Sequence, residues 1–206
     1  MERLAALRAL IASDRRRMDV LRAVRDLGLP DCWVAAGFVR NCVWDHVHGH
    51  AASPLSEDID VVWFDAAQCE AECDAALERA LRCRDGSLDW SVKNQARMHV
   101  RNGDAPYASA TDAMRHWPET ATAVGVRLGQ GDTIDVAAPF GLDDLFDWPS
   151  GRPGVSLWRS GRCTWRASAP RTGWAVGPSC GSICRVDPIK KAPAGAFVVR
   201  WRMAYT

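Results

Sequence analysis

Residues 58–64 read Asp58-Ile59-Asp60-Val61-Val62-Trp63-Phe64, and the fold turns on how they are read. The apolar run has the length of one strand, and side chains along a strand alternate between two faces. Asp58 and Asp60 therefore share a face while Ile59 is directed into the core. Two carboxylates so close repel and raise one another's pKa unless a cation neutralises them. Magnesium suits such a pair, because it binds one or two carboxylates and fills its remaining positions with water and phosphate oxygens.

Two further fragments extend this reading. Upstream, Ala36-Gly37-Phe38-Val39-Arg40-Asn41 follows a short apolar strand at 32–36 and opens a helix whose apolar face is Val39, Val43, Trp44 and Val47. A glycine at that junction lets backbone amides approach a phosphate at the positive end of the helix. Downstream, Ile134-Asp135-Val136-Ala137 carries a third carboxylate within a strand. If that strand neighbours the first, three acids could hold two ions about 3.5–4 Å apart, the arrangement that serves in-line phosphoryl chemistry. The expectation is that Asp58, Asp60 and Asp135 converge in one open cleft, on adjacent strands.

Together the fragments resemble the nucleotidyltransferase superfamily, the DNA polymerase β-like fold, whose signature is a glycine turn, then Asp-x-Asp, then a distant third acid. The local wording is closest to the CCA-adding and poly(A) polymerase class. Over about residues 5–147 the chain looks like a bacterial family of nucleotidyltransferase-like proteins of unassigned activity. Three stretches carry that match: Trp90-Ser91-Val92-Lys93-Asn94-Gln95-Ala96-Arg97-Met98-His99, Trp117-Pro118-Glu119-Thr120-Ala121-Thr122-Ala123-Val124-Gly125-Val126-Arg127, and Pro139-Phe140-Gly141-Leu142-Asp143-Asp144-Leu145-Phe146.

The resemblance implies an α/β (α+β) fold, a small mixed sheet flanked by helices. It implies Asp58, Asp60 and Asp135 as catalytic residues and Mg2+ ligands, with Asp135 activating the attacking hydroxyl. The implied reaction moves a nucleotidyl group from an NTP to an unknown acceptor, whether RNA, protein or small molecule. Gly37, Phe38, Arg40 and Asn41 would line the nucleotide. Lys93, Arg97 and Arg127, with Asn94 and His99, are further candidates for holding phosphate or template, since guanidinium groups offer paired donors. Two departures bear on activity: Phe38 stands where a second glycine is expected, and Asn41 where an Asp is. They leave open a protein of the same fold that binds nucleotide or RNA without catalysis.

The remaining pattern is mixed α/β without repeats. Leu4, Leu7, Leu10 and Ile11, then Met18, Leu21 and Val24, mark two helices, the second capped by Asp14. Residues 66–81 read as a helix with its acids outward. Residues 90–93 form a strand and 111–117 a short helix. Residues 121–128 and 133–137 form a hairpin, and a last helix begins at 142. His46, His48 and His50 fall at a solvated helix end. Eight cysteines include Cys69 with Cys73 and Cys180 with Cys184, but neither pair has the second half of a zinc site. Cys69 and Cys73 read as small buried thiols.

No stretch has the roughly 20 apolar residues needed to cross a bilayer, so no membrane contact and a cytoplasmic location are expected. The net charge of +1 hides a division, because residues 148–206 hold ten Lys/Arg against one acid, Asp187. This part also contains five of the ten tryptophans and no amphipathic period. Regrouping each codon's third base with the next two lets residues 147–156 read Leu-Ala-Val-Arg-Pro-Thr-Arg-Arg-Phe. In the same frame permitted codon choices let residues 170–181 read Gln-Asn-Trp-Leu-Gly-Arg-Trp-Pro-Lys-Leu-Arg. Both resemble the end of the bacterial family. The chain therefore divides into a nucleotidyltransferase-like domain at 1–147 and a tail at 148–206 that is out of frame or disordered, the alternative being a basic RNA-binding arm.

Overall fold

A computed structural model describes residues 1–55 and 58–147. The expectations about 148–206, the thiols Cys163, Cys180 and Cys184, and the end of the loop before Asp58 lie outside the described residues.

The chain opens with α1 (Glu2–Ser13) and α2 (Arg15–Arg25). Asp14 caps α2 as expected, its carboxylate accepting from the Arg17 amide at 3.0 Å and so satisfying a donor the first turn leaves unpaired. Strand β1 (Trp33–Ala35) then runs into α3 (Gly37–Val47). Strand β2 (Asp58–Trp63), α4 (Ala71–Arg84) and β3 (Asp89–Asn94) follow. Two short helices, α5 (Met98–Asn102) and α6 (Ala110–Met114), precede the hairpin β4 (Gly125–Leu128) and β5 (Ile134–Ala137). Helix α7 (Asp143–Asp147) comes last among the described residues. None of these helices is long and apolar enough to cross a membrane.

The five strands form one mixed sheet in the order β3-β2-β1-β4-β5. Strands β2 and β3 run parallel, which requires the α4 crossover between them, and the other neighbours are antiparallel. One sheet face carries Val34, Ile59, Val61, Trp63, Val92 and Val126, packed under the first four helices. The opposite face carries Trp33, Ala35, Val62 and Ala137 under Ala110 and Met114 of α6. Gly125 permits that second contact, since a Cβ there would lie 2.9 Å from the Met114 methyl.

The outer edge of β3 is capped by side chains of α4. Glu78 Oε1 accepts from the Val92 amide (3.0 Å), and both oxygens of Asp74 accept from the Asn94 amide (3.1 and 3.0 Å). Asp74 also accepts from Trp63 Nε1 at 2.8 Å and is ion-paired with Arg97.

The structure corrects the reading of residues 66–81. The helix begins at Ala71 and extends to Arg84. Its acids do not all face outward, because Asp74 is buried at 2% exposure. Cys69 precedes the helix and is exposed, and Cys73 is half-buried, so the two are not core thiols. Residues 121–124 precede β4 rather than belonging to it.

Candidate active site

The site is assembled where β1 gives way to α3, beside the start of β2. Register pairs Ala35 with Asp60 across the antiparallel β1–β2 ladder, so the first turn of α3 lies next to that carboxylate. The first bonds into the Ala36 carbonyl come from the Val39 and Arg40 amides (3.2 and 3.0 Å). The Gly37 and Phe38 amides, ahead of them in the turn, are the donors a helix offers to an anion.

Phe38 does not obstruct this turn. Its side chain is fully buried in the core beneath the sheet, with the Arg17 guanidinium 5.8 Å from its ring centroid. The position that calls for glycine is instead Ala36, at φ 55° and ψ −122°, a region costly for any residue with a Cβ. Arg17, itself fully buried, fixes the turn from behind. It is ion-paired with Asp14 and donates to the Phe38 carbonyl (3.4 Å) and to the Ser53 carbonyl and hydroxyl (both 2.9 Å).

Asp58 is exposed and Asp60 half-buried, on one face as alternation requires, and Ile59 between them is fully buried on the other. Burial, and then the Asp58 carboxylate beside it, push the Asp60 carboxyl above its ordinary value. Lys93, a hydrogen bond from Ser91 and Arg40 act in the opposite direction. Lys93 Nζ is held by Glu78 Oε1 (2.6 Å) and the Val92 carbonyl (3.0 Å). Arg40 stacks 5.1 Å from the Trp44 ring centroid, donates from Nε to Asn41 Oδ1 (3.2 Å), and has Glu119 at 3.6 Å.

Asp135 is not part of this cluster, which corrects the expected convergence. It shares the sheet face of Asp58 and Asp60, but it lies on β5, with β1 and β4 intervening. The row containing Asp60 and Ala35 continues through Gly125 to Ala137, not to Asp135. Three interstrand steps of about 4.8 Å put β5 some 14 Å from β2. Two ions about 4 Å apart cannot bridge that distance. Asp135 instead accepts from Arg127 Nε (3.2 Å), whose guanidinium lies 4.2 Å from the Trp33 ring centroid. A cavity of about 230 Å³ opens at that end, between α2 and β4, and neither Asp58 nor Asp60 borders it.

The other candidates divide similarly. Arg97 is committed to Asp74, and Arg127 to Asp135. Asn94 is fully buried, donating to the Asp65 and Gln68 carbonyls (2.8 and 2.6 Å) and accepting from the Asp65 and Ala96 amides (3.2 and 3.0 Å). His99 Nδ1 meets the Ala96 carbonyl at 2.9 Å. Residues around Asp60 that sequence reading passed over are Ser91, Glu78 and Glu119. Ser91 was accessible to it, since alternation along β3 puts Ser91 and Lys93 on one face.

Residues 22–150 match the family described as Nucleotidyltransferase. The chain belongs to that family. A solved structure described as an NMR structure revealing a CCA-adding enzyme head domain is 37% identical, covering 68% of this chain and 73% of that one, with a TM-score of 0.60. A second, described as a tRNA-processing enzyme in apo form, is 20% identical over 63% of this chain and 33% of that one, with a TM-score of 0.40. No curated protein matches. The family's chemistry is nucleotidyl transfer, and the first of these structures is similar to this chain in fold.

Proposed function

We propose that this family member is a magnesium-dependent nucleotidyltransferase that binds an NTP at the α3 turn and transfers its nucleotidyl group to an acceptor not yet identified. The observation that supports it best is the pairing of Asp58 and Asp60 on one face, beside the amides that open α3. These two carboxylates fit Mg2+, a hard ion held by one or two carboxylates together with substrate phosphates. When bound, the ion would neutralise charge on the phosphates and polarise the one under attack. Arg40 and Lys93, both acting on Asp60, would orient the triphosphate. The Gly37 and Phe38 amides would receive a phosphate oxygen. The reaction would draw on the NTP pool of the cytoplasm.

A second reading, nucleotide or RNA binding without catalysis, is favoured by one observation. Among the described residues no group of three His, Cys, Asp or Glu is placed to hold a metal ion. The domain itself is proposed to end at residue 147, with 148–206 read out of frame, a division supported by the family match ending at residue 150. Resequencing the coding DNA tests that division.

The deciding experiment for function incubates the protein with Mg2+, each α-32P-labelled NTP and cell extract. Label transferred to a macromolecule or small molecule, and lost in Asp60→Asn, is the expected result. Mg2+-dependent NTP binding without transfer would select the second reading.

A further inference from the structure

We infer that the Asp58–Asp60 cleft takes a single divalent cation with its nucleotide, because Ser91 stands where a third carboxylate would complete a two-ion site. The inference rests on the proposed reading of Asp58 and Asp60 as the ion's ligands, and it specifies how many ions they can hold.

The parallel β2–β3 register pairs Asp60 with Ser91 and Asp58 with Asp89. Alternation then puts all four side chains on one face. Adjacent strands lie about 4.8 Å apart, so a carboxylate at position 91 would stand beside that of Asp60, close enough to share an ion with it. Ser91 supplies a neutral hydroxyl at that position. Asp60 thus has no second anionic ligand on that side.

The other acids do not replace it. Asp89 is level with Asp58, two residues or about 6.6 Å along the strand from the level of Asp60. Its side chain is 73% exposed, with Arg82 at 3.8 Å. Asp135 is bound to Arg127 three strands away from β2.

Manganese bound to the full chain, counted by electron paramagnetic resonance with a non-hydrolysable analogue of each of the four NTPs present in turn, tests the inference. One Mn2+ per chain is expected in the wild type and two in Ser91→Asp. Two in the wild type would overturn the one-ion site and leave the proposed function standing. None in the wild type would overturn both. One in a folded Ser91→Asp would overturn the role given to position 91. If that variant does not fold, the wild-type count still decides the number of ions.

Discussion

Asp60 and Asp74 are both carboxylates drawn back from water, yet their surroundings differ. Asp74 on α4 is surrounded by donors: the Trp63 indole, the Asn94 amide and the Arg97 guanidinium. Asp60 on β2 has a like charge two residues away, one hydroxyl and two cations tethered to other partners. A buried carboxylate whose lone pairs are all engaged is a structural joint. One left beside its own kind is destabilising until a ligand arrives. On the proposed reading of Asp60, that contrast separates architecture from function more clearly than burial does.

Removing either carboxylate should therefore act in opposite directions on stability. Asp74→Ala leaves Arg97 without its counter-charge and the Asn94 amide without an acceptor. Urea denaturation should show a loss of about 3–5 kcal/mol, the range for breaking a buried ion pair. A loss below about 1 kcal/mol would mean that Asp74 is no joint.

Asp60→Asn should lower Mg2+-dependent NTP affinity at least tenfold by calorimetry, while the cation-free protein melts at the same or a higher temperature. The pH dependence follows from the same shift. A carboxyl raised in the folded state binds its proton more readily there than in the unfolded chain. Folded stability therefore falls as pH rises from the ordinary carboxylate range through the raised value. Melting curves of the wild type in chelator should show that fall, and Asp60→Asn should lack it. Parallel pH profiles for the two proteins would refute the role of Asp60.

Ala36→Gly sharpens the comparison on the ligand side, because it relieves the backbone of the turn without touching a carboxylate. A gain of about 1 kcal/mol is expected, the scale of strain at such a conformation, with NTP affinity retained. A destabilised variant would show that the turn is not strained. The smallest effect belongs to Asp135→Asn. Its pair with Arg127 is part-exposed on both sides, and such pairs contribute about 0–1 kcal/mol. NTP affinity should be unchanged, and a tenfold loss would reinstate Asp135 in the site.

The sequence was most legible where local chemistry decides the outcome. The Asp14 cap, the alternation through Asp58, Ile59 and Asp60, and the Gly37 junction depend on neighbours a few residues away, and each sits where the pattern places it. The register of distant strands was not legible. The hairpin that joins Ile134-Asp135-Val136-Ala137 to β4 was legible, but not where that hairpin docks on the sheet, and strand order together with register separates Asp135 from Asp60. The buried charges Arg17 and Asp74 were hidden for a related reason, since their partners Ser53, Phe38, Trp63 and Asn94 are brought to them only by the fold.

The capped rim of β3 has a consequence beyond this domain's own packing. An uncovered outer strand is a template on which a second chain can lay down its backbone. Here Glu78 and Asp74 take the Val92 and Asn94 amides, and Lys93 takes the Val92 carbonyl. An incoming strand would have to displace two anions and an ammonium group to bond at Val92 and Asn94. At this rim the sheet resists growth into fibrils or strand-swapped dimers, and Glu78→Ala should make concentrated solutions of the protein aggregate sooner.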